Sequence, residues 1–144
     1  MANEIKLIYG TAKVLEDAGG AIASGAFAQA ADASVSETDS LDWPDADFVL
    51  SCTFSTAPAD GRAIAIYAQP LDVDGTEDAP APSSNVRHHY IGAFAPNNVT
   101  TLQTLWLRAY DLPRRYACWL ENSAGQPIAA GWSLKIIPRT TGTV

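Results

Sequence analysis

By residue type, the side chains best suited to chemistry are His88, His89, Cys52, Cys118 and the acidic run Asp72, Asp74, Glu77 and Asp78. The acidic run opens as D-x-D-G, like half of an EF-hand loop, with Gly75 able to turn tightly. Calcium takes six to eight oxygens, the last two from a glutamate at the twelfth position. Counting from Asp72, the twelfth residue is Ser83. The four acids are therefore only weak metal candidates, a solvated loop is the plainer reading, and no cofactor is expected.

The histidines are adjacent in an expected strand, so their side chains should point to opposite faces and cannot form a local metal pair. His88 shares the phase of Val86 and Tyr90 and is expected inside; His89 is expected outside. No G-x-S-x-G elbow or cysteine–histidine pairing accompanies them, so a hydrolase built on either is the weakest reading and no catalytic residue is expected. Cys52 and Cys118 both fall on the apolar phase of a strand. Two buried free thiols are the plainer outcome, and a bridge between packed sheets is the alternative.

Trp106, Trp119 and Trp132 are spaced thirteen residues apart. Trp132 lies on the apolar phase, Trp119 lies opposite Cys118, and Trp106 is ambiguous. An exposed tryptophan can anchor a protein interface, stack on a sugar ring or simply pack at the rim beneath a loop. Arg114 and Arg115, beside a turn, could pair with carboxylates on a partner. Trp106, Trp119, Arg114 and Arg115 are thus the candidate partner contacts.

The elements that must position these groups are short strands. Phe48, Leu50, Cys52 and Phe54 alternate with Val49, Ser51 and Thr53. Ile64 and Ile66 do the same, as do Tyr116, Cys118 and Leu120, and then Trp132, Leu134 and Ile136. A period of two describes sheets with one buried face. Strands are predicted near 47–55, 62–69, 86–95, 102–109, 115–121 and 131–137. Residues 4–15 predict one long or two short strands with Gly10 as a kink. Weak strands are predicted at 22–30 and 33–38. Asp60-Gly61 is a hairpin signal, and residues 70–85 form a long Pro- and Ser-rich loop of the binding or mobile kind.

About eight strands, Gly/Pro turns and no long amphipathic helix predict an all-β fold. The expected form is an antiparallel β-sandwich or jelly roll with a less regular N-terminal segment. At 144 residues one domain is expected. Residues 1–46 would supply an N-terminal strand and an arm ordered by a partner, 47–138 the sandwich body, and 139–144 a polar, frayed tail. Even-phase side chains would fill the core, leaving the odd phase and the loops for contact.

Charge is uneven. Residues 1–78 hold fourteen acids and three bases, a balance of −11; residues 79–144 hold two acids and six bases, a balance of +4; the chain's net charge is −7. An acidic total argues against a nucleic-acid partner, since each phosphate contact needs a cation. No run of about 18 apolar residues argues for a membrane span. The first residues lack the apolar core of a secretory signal, so synthesis and use in a cytoplasm, or release by lysis, is expected.

Three stretches then read together. Gly61-Arg62-Ala63-Ile64-Ala65-Ile66-Tyr67-Ala68-Gln69-Pro70-Leu71-Asp72-Val73-Asp74-Gly75-Thr76 is followed by Tyr90-Ile91-Gly92-Ala93-Phe94. Leu112-Pro113-Arg114-Arg115-Tyr116-Ala117-Cys118-Trp119-Leu120-Glu121-Asn122-Ser123-Ala124-Gly125 completes the order. This order resembles the small β-sandwich virion proteins of tailed bacteriophages, in particular capsid decoration or cement proteins, over roughly residues 47–137. The resemblance implies a jelly-roll body, a non-enzymatic role, a place on the capsid surface after synthesis in the host cytoplasm, and the major capsid protein as partner, with a homodimer as the assembly. The other reading of the same fold is a carbohydrate- or receptor-binding module of a phage tail, with Trp106 or Trp119 on the sugar. No binding residue carries over from the family.

Overall fold

A computed structural model describes residues 5–31, 43–71 and 76–143. Nine antiparallel strands form two sheets, and the described residues contain no helix. The first sheet contains β1 (Ile5–Tyr9), β2 (Lys13–Gly19), β4 (Asp45–Cys52), β7 (Gln103–Ala109) and β9 (Trp132–Thr143). Its order is β1-β9-β4-β7, with β2 also on β9. The second contains β3 (Phe27–Gln29), β5 (Ala63–Pro70), β6 (Tyr90–Phe94) and β8 (Tyr116–Ser123), in the order β3-β8-β5-β6. β1 and β2 lie end to end along one side of β9, so they are a single strand broken at Gly10. Counted that way, eight strands form two four-stranded sheets, and the chain crosses between them at every connection except β5 to β6, in the winding of a jelly roll.

The alternation described above fills the space between the sheets. Phe48, Leu50, Cys52, Ile64, Ile66, Tyr116, Cys118, Leu120, Leu134 and Ile136 are all 0–1% exposed. Each such side chain stabilises the fold by about 1.5–3 kcal/mol relative to an exposed one. At one end Ile128 bridges both Ile22 and Phe54, closing the sandwich. Asn122 also lies in the core phase, and its buried amide is fully engaged. Its Nδ2 donates to the carbonyls of Ile22 and Gln126, both at 2.9 Å, and its Oδ1 accepts from Ala124 N at 3.0 Å. The turn after β8 is thereby tied to the segment that joins β2 to β3.

Several expectations change. Asp60-Gly61 does not close a hairpin: β4 and β5 belong to different sheets, so this joint crosses the sandwich. The 86–95 strand begins only at Tyr90. The tail is not frayed, because Arg139–Thr143 pairs with β1 from Ile5↔Thr143 to Tyr9↔Arg139. The predicted strand at 33–38 lies outside the described residues. The break at Gly10 holds, with Gly10 N–H donating to Pro138 O at 2.8 Å.

Gly19 is required by packing. It pairs with Trp132 across β2 and β9, and a Cβ on Gly19 would sit 2.1 Å from the indole ring. The indole N–H meanwhile donates to Gly20 O at 2.7 Å, so the ring is fixed in place. Gly19→Ala is therefore expected to destabilise the fold by about 1–3 kcal/mol, the range for overpacking a core. Urea unfolding followed by tryptophan fluorescence reads this as a lower midpoint at unchanged slope.

Candidate interaction surface

The outer faces of the two sheets differ. On the second sheet, the outward residues beyond the Ala63–Ser123 end of β5 and β8 are Ala65, Tyr67, Gln69, Ala117, Trp119 and Glu121, and of these all but Trp119 are buried. The segment after β5 folds back over them. Ala79 N–H donates to Pro70 O at 3.0 Å, and Gln69 Nε2 donates to Ala79 O at 2.6 Å. Pro82 is buried, and Ala68 N–H reaches His89 O at 2.9 Å. This segment is thus a cover rather than a free binding loop, and it takes the odd phase of β5 and β8 out of the contact surface.

A buried polar group holds the cover down. Glu121 is 4% exposed; its Oε2 accepts from Tyr67 OH at 2.6 Å and its Oε1 from Arg87 Nη2 at 2.7 Å. Burial, and then the hydrogen bond to Glu121, push the Tyr67 hydroxyl up to about 12. Phe27 and Tyr90 flank this tyrosine, with ring centroids 6.0 and 5.9 Å away.

Among the described residues the outer face of the first sheet is more open, although Asp47 and Arg139 are buried on it. Trp106 stands opposite Val49 and is 62% exposed. Arg108 stands opposite Asp47 and donates from Nε to Oδ1 at 3.0 Å. Arg139, opposite both Tyr9 and Asp45, approaches the same Oδ1 at 3.6 Å and lays its guanidinium 5.0 Å from the Tyr110 ring centroid. Tyr9 and Tyr110 are themselves exposed. From this face β1 and the end of β9 continue as a two-stranded ribbon. Every residue of β1 is exposed, with Ile5 at 77%, Leu7 at 50%, Ile8 at 39% and Tyr9 at 50%. A two-stranded ribbon is marginally stable alone, and clustered exposed apolar side chains mark interaction sites. The signal in the sequence was Ile8: an apolar residue on the second phase, beside Ile5, Leu7 and Tyr9, fits a strand meeting partners on both faces.

The candidate contacts do not form one site. Trp106 is on the first sheet. Trp119 is on the second, half-buried, with its indole N–H donating to Gln69 Oε1 at 2.8 Å. Arg114 and Arg115 lie in the turn before β8, where Arg115 O accepts from Leu71 N at 3.0 Å. Asp72 and Asp74 lie outside the described residues; Glu77 and Asp78 are exposed. Among the described residues no three metal-capable side chains cluster. The histidines reverse their expected places: they precede β6 in a turn, with rings 4.1 Å apart. His88 is exposed, and His89 has an Nε2 shut from solvent without a hydrogen-bond partner. Cys52 and Cys118 are both buried and in no disulfide, and burial pushes the Cys52 thiol up to about 11.

No protein-family model matches this chain, and no curated protein sequence matches it.

Two measurements check these arrangements. The fold holds the Tyr67 proton more tightly than the unfolded chain does, so this stabilisation is complete below pH 10 and is lost as pH rises towards about 12. Tyrosinate absorbance should show a phenol titrating near pH 12 that Tyr67→Phe removes; ordinary titration of all five tyrosines would contradict the bond. Both thiols should resist an aromatic disulfide reagent in the native protein and react at the unfolding rate, since only the exposed thiolate is the nucleophile. Rapid native labelling would show that the core is open.

Proposed function

We propose that this chain is a non-enzymatic structural virion protein of a tailed bacteriophage. In this reading it is made in the host cytoplasm and binds the outside of the capsid, where it cements contacts between major capsid protein subunits. The observation that carries the reading is the bare apolar ribbon, Ile5 to Tyr9, continuous with the exposed face holding Trp106. Such a ribbon has open strand edges and apolar side chains on both faces, so it can enter a seam between subunits and pair with strands there. The rigid jelly roll behind it gives that ribbon a fixed direction. The order of strands and turns that resembles capsid decoration proteins supports the same reading, and jelly rolls serve in many viral shells.

A small protein can cement a large shell because attachment is repeated. Each contact of ordinary size buries roughly 800 Å² per partner. When one protein touches two neighbouring subunits, the second contact is made at high effective concentration, and modest single-site affinity becomes strong joint holding. A homodimer would double the number of ribbons per particle and fits the same logic.

Expanded phage heads lacking the protein provide the test. Purified protein should bind them saturably and raise their melting temperature. Leu7→Glu places a charge at the middle of the ribbon, and Trp106→Ala removes the largest exposed ring. Each is expected to weaken attachment by about tenfold or more, corresponding to about 1.4 kcal/mol or more. Unfolding of the isolated protein should hardly change, because both side chains are at least half exposed. Failure to bind the heads, or undiminished binding by both variants, would sink the proposal.

A further inference from the structure

We propose that the cleft between Tyr90 and Tyr110 is a binding site for a neutral pyranose ring. The cleft lies at the seam where the two sheets' edge strands, β6 and β7, come together. Along that seam Gly92 meets the Leu107 side chain so closely that a Cβ on the glycine would lie 2.8 Å from it. One step further the sheets part, leaving an opening of about 370 Å³, within the range of small-ligand sites.

Its walls carry the chemistry that a sugar ring needs. A pyranose has an apolar face of C–H bonds and a rim of hydroxyls, each able to donate and accept. Tyr90 comes from the second sheet and Tyr110 from the end of the first, and they are 55% and 59% exposed. Paired rings of this kind supply flat apolar surface with a hydroxyl at the edge. Ala68 and Ala109, both 1% exposed, form the floor. For the hydroxyl rim there are the Asp111 carboxylate as acceptor, the Arg108 guanidinium as donor and the His89 imidazole. Burial and the neighbouring His88 lower the pKa of His89, so its ring is neutral and can both donate and accept. Its Nε2 lacks a hydrogen-bond partner within the protein.

Charge selects the ligand. One guanidinium and one carboxylate line the cleft, so neither an anion nor a cation is favoured as a whole. Arg108 is in addition bound to Asp47 at 3.0 Å. The walls are also set in advance. Asp111 is held at φ 53°, its N–H donating to Asp45 Oδ1 at 3.2 Å, while Leu112 N–H donates to Pro44 O at 2.7 Å. On the other wall the His89 carbonyl is fixed by Ala68 N–H. Neither Trp106 nor Trp119 lines the cleft, so the sugar platform expected of those tryptophans falls to two tyrosines.

The inference does not depend on attachment to a capsid and is tested on the isolated protein. Amide NMR spectra are recorded during titration with the methyl glycosides of glucose, galactose, mannose and N-acetylglucosamine, to about 50 mM, well above a millimolar affinity. At least one sugar should give saturable shifts confined to residues 89–91 and 108–113. Tyr90→Ala and Tyr110→Ala should each raise Kd at least about tenfold, Tyr90→Phe should largely restore binding, and Trp119→Phe should leave it unchanged. The same spectra show whether each variant is folded. Absence of saturable shifts with all four sugars, shifts mapping elsewhere, or undiminished binding in both alanine variants would overturn the assignment.

Discussion

Among the described residues β1 and β2 have one neighbouring strand, β9. β9 in turn pairs with β4 on its other edge, from Asp45↔Arg139 to Ser51↔Ser133. Twelve residues of β9 therefore hold together segments that lie far apart in sequence. Leu134 and Ile136 face the core from the middle of this strand, and Trp132 seals its beginning against Gly19. Its end carries Arg139 to the Tyr110 ring and then runs out as half of the exposed ribbon. The core, the flank of the cleft and the bare ribbon are successive stretches of one strand, so a register slip in β9 would displace all three. A slip by a single residue would also turn Leu134 and Ile136 to the outside.

The two outer faces divide the remaining work. The second sheet lies between two packed layers, the main core beneath and the segment 76–89 above. That is why β5 is buried over six consecutive residues, Ile64 to Gln69. A carboxylate at such a place needs partners, and Glu121 has a phenol and a guanidinium. Removing either partner would leave a buried charge poorly compensated, which is costly. Among the described residues the first sheet has no such cover, and Trp106, Tyr9 and Tyr110 stand in solvent. The two outer faces thus differ in how far the chain itself covers them.

The sequence carried the architecture because periodicity two is a local signal. Phe48 to Phe54, Tyr116 to Leu120 and Trp132 to Ile136 each announced a strand and its buried face correctly. The destination of a strand is not local. Asp60-Gly61 has the chemistry of a hairpin turn, but nothing in those residues tells whether the chain folds back in one sheet or crosses to the other. The same limit explains the tail: Arg139 to Thr143 is polar, and it is ordered by pairing with β1, more than a hundred residues away. The second layer over β5 was hidden because Ala65 and Tyr67 could equally have met water. His88 and His89 misled because the strand begins at Tyr90, four residues after the Val86 start of the apolar pattern, and phase has no meaning in the turn that holds them. The cleft between Tyr90 and Tyr110 joins residues from two sheets and left no mark in either segment alone.

The pairing of first strand with last also sets an order in time. During synthesis, all four strands of the second sheet exist once Ser123 has emerged, and its pairings can then form. The first sheet at that moment has only β4 against β7, with β1 and β2 still without their neighbour. Leu15 and the ribbon side chains have no partner strand in this sheet until residues 132–143 have been made. Closing such a long loop is the slow kind of folding step. The first sheet can thus be completed only after the second has all its strands, and the exposed ribbon forms with it.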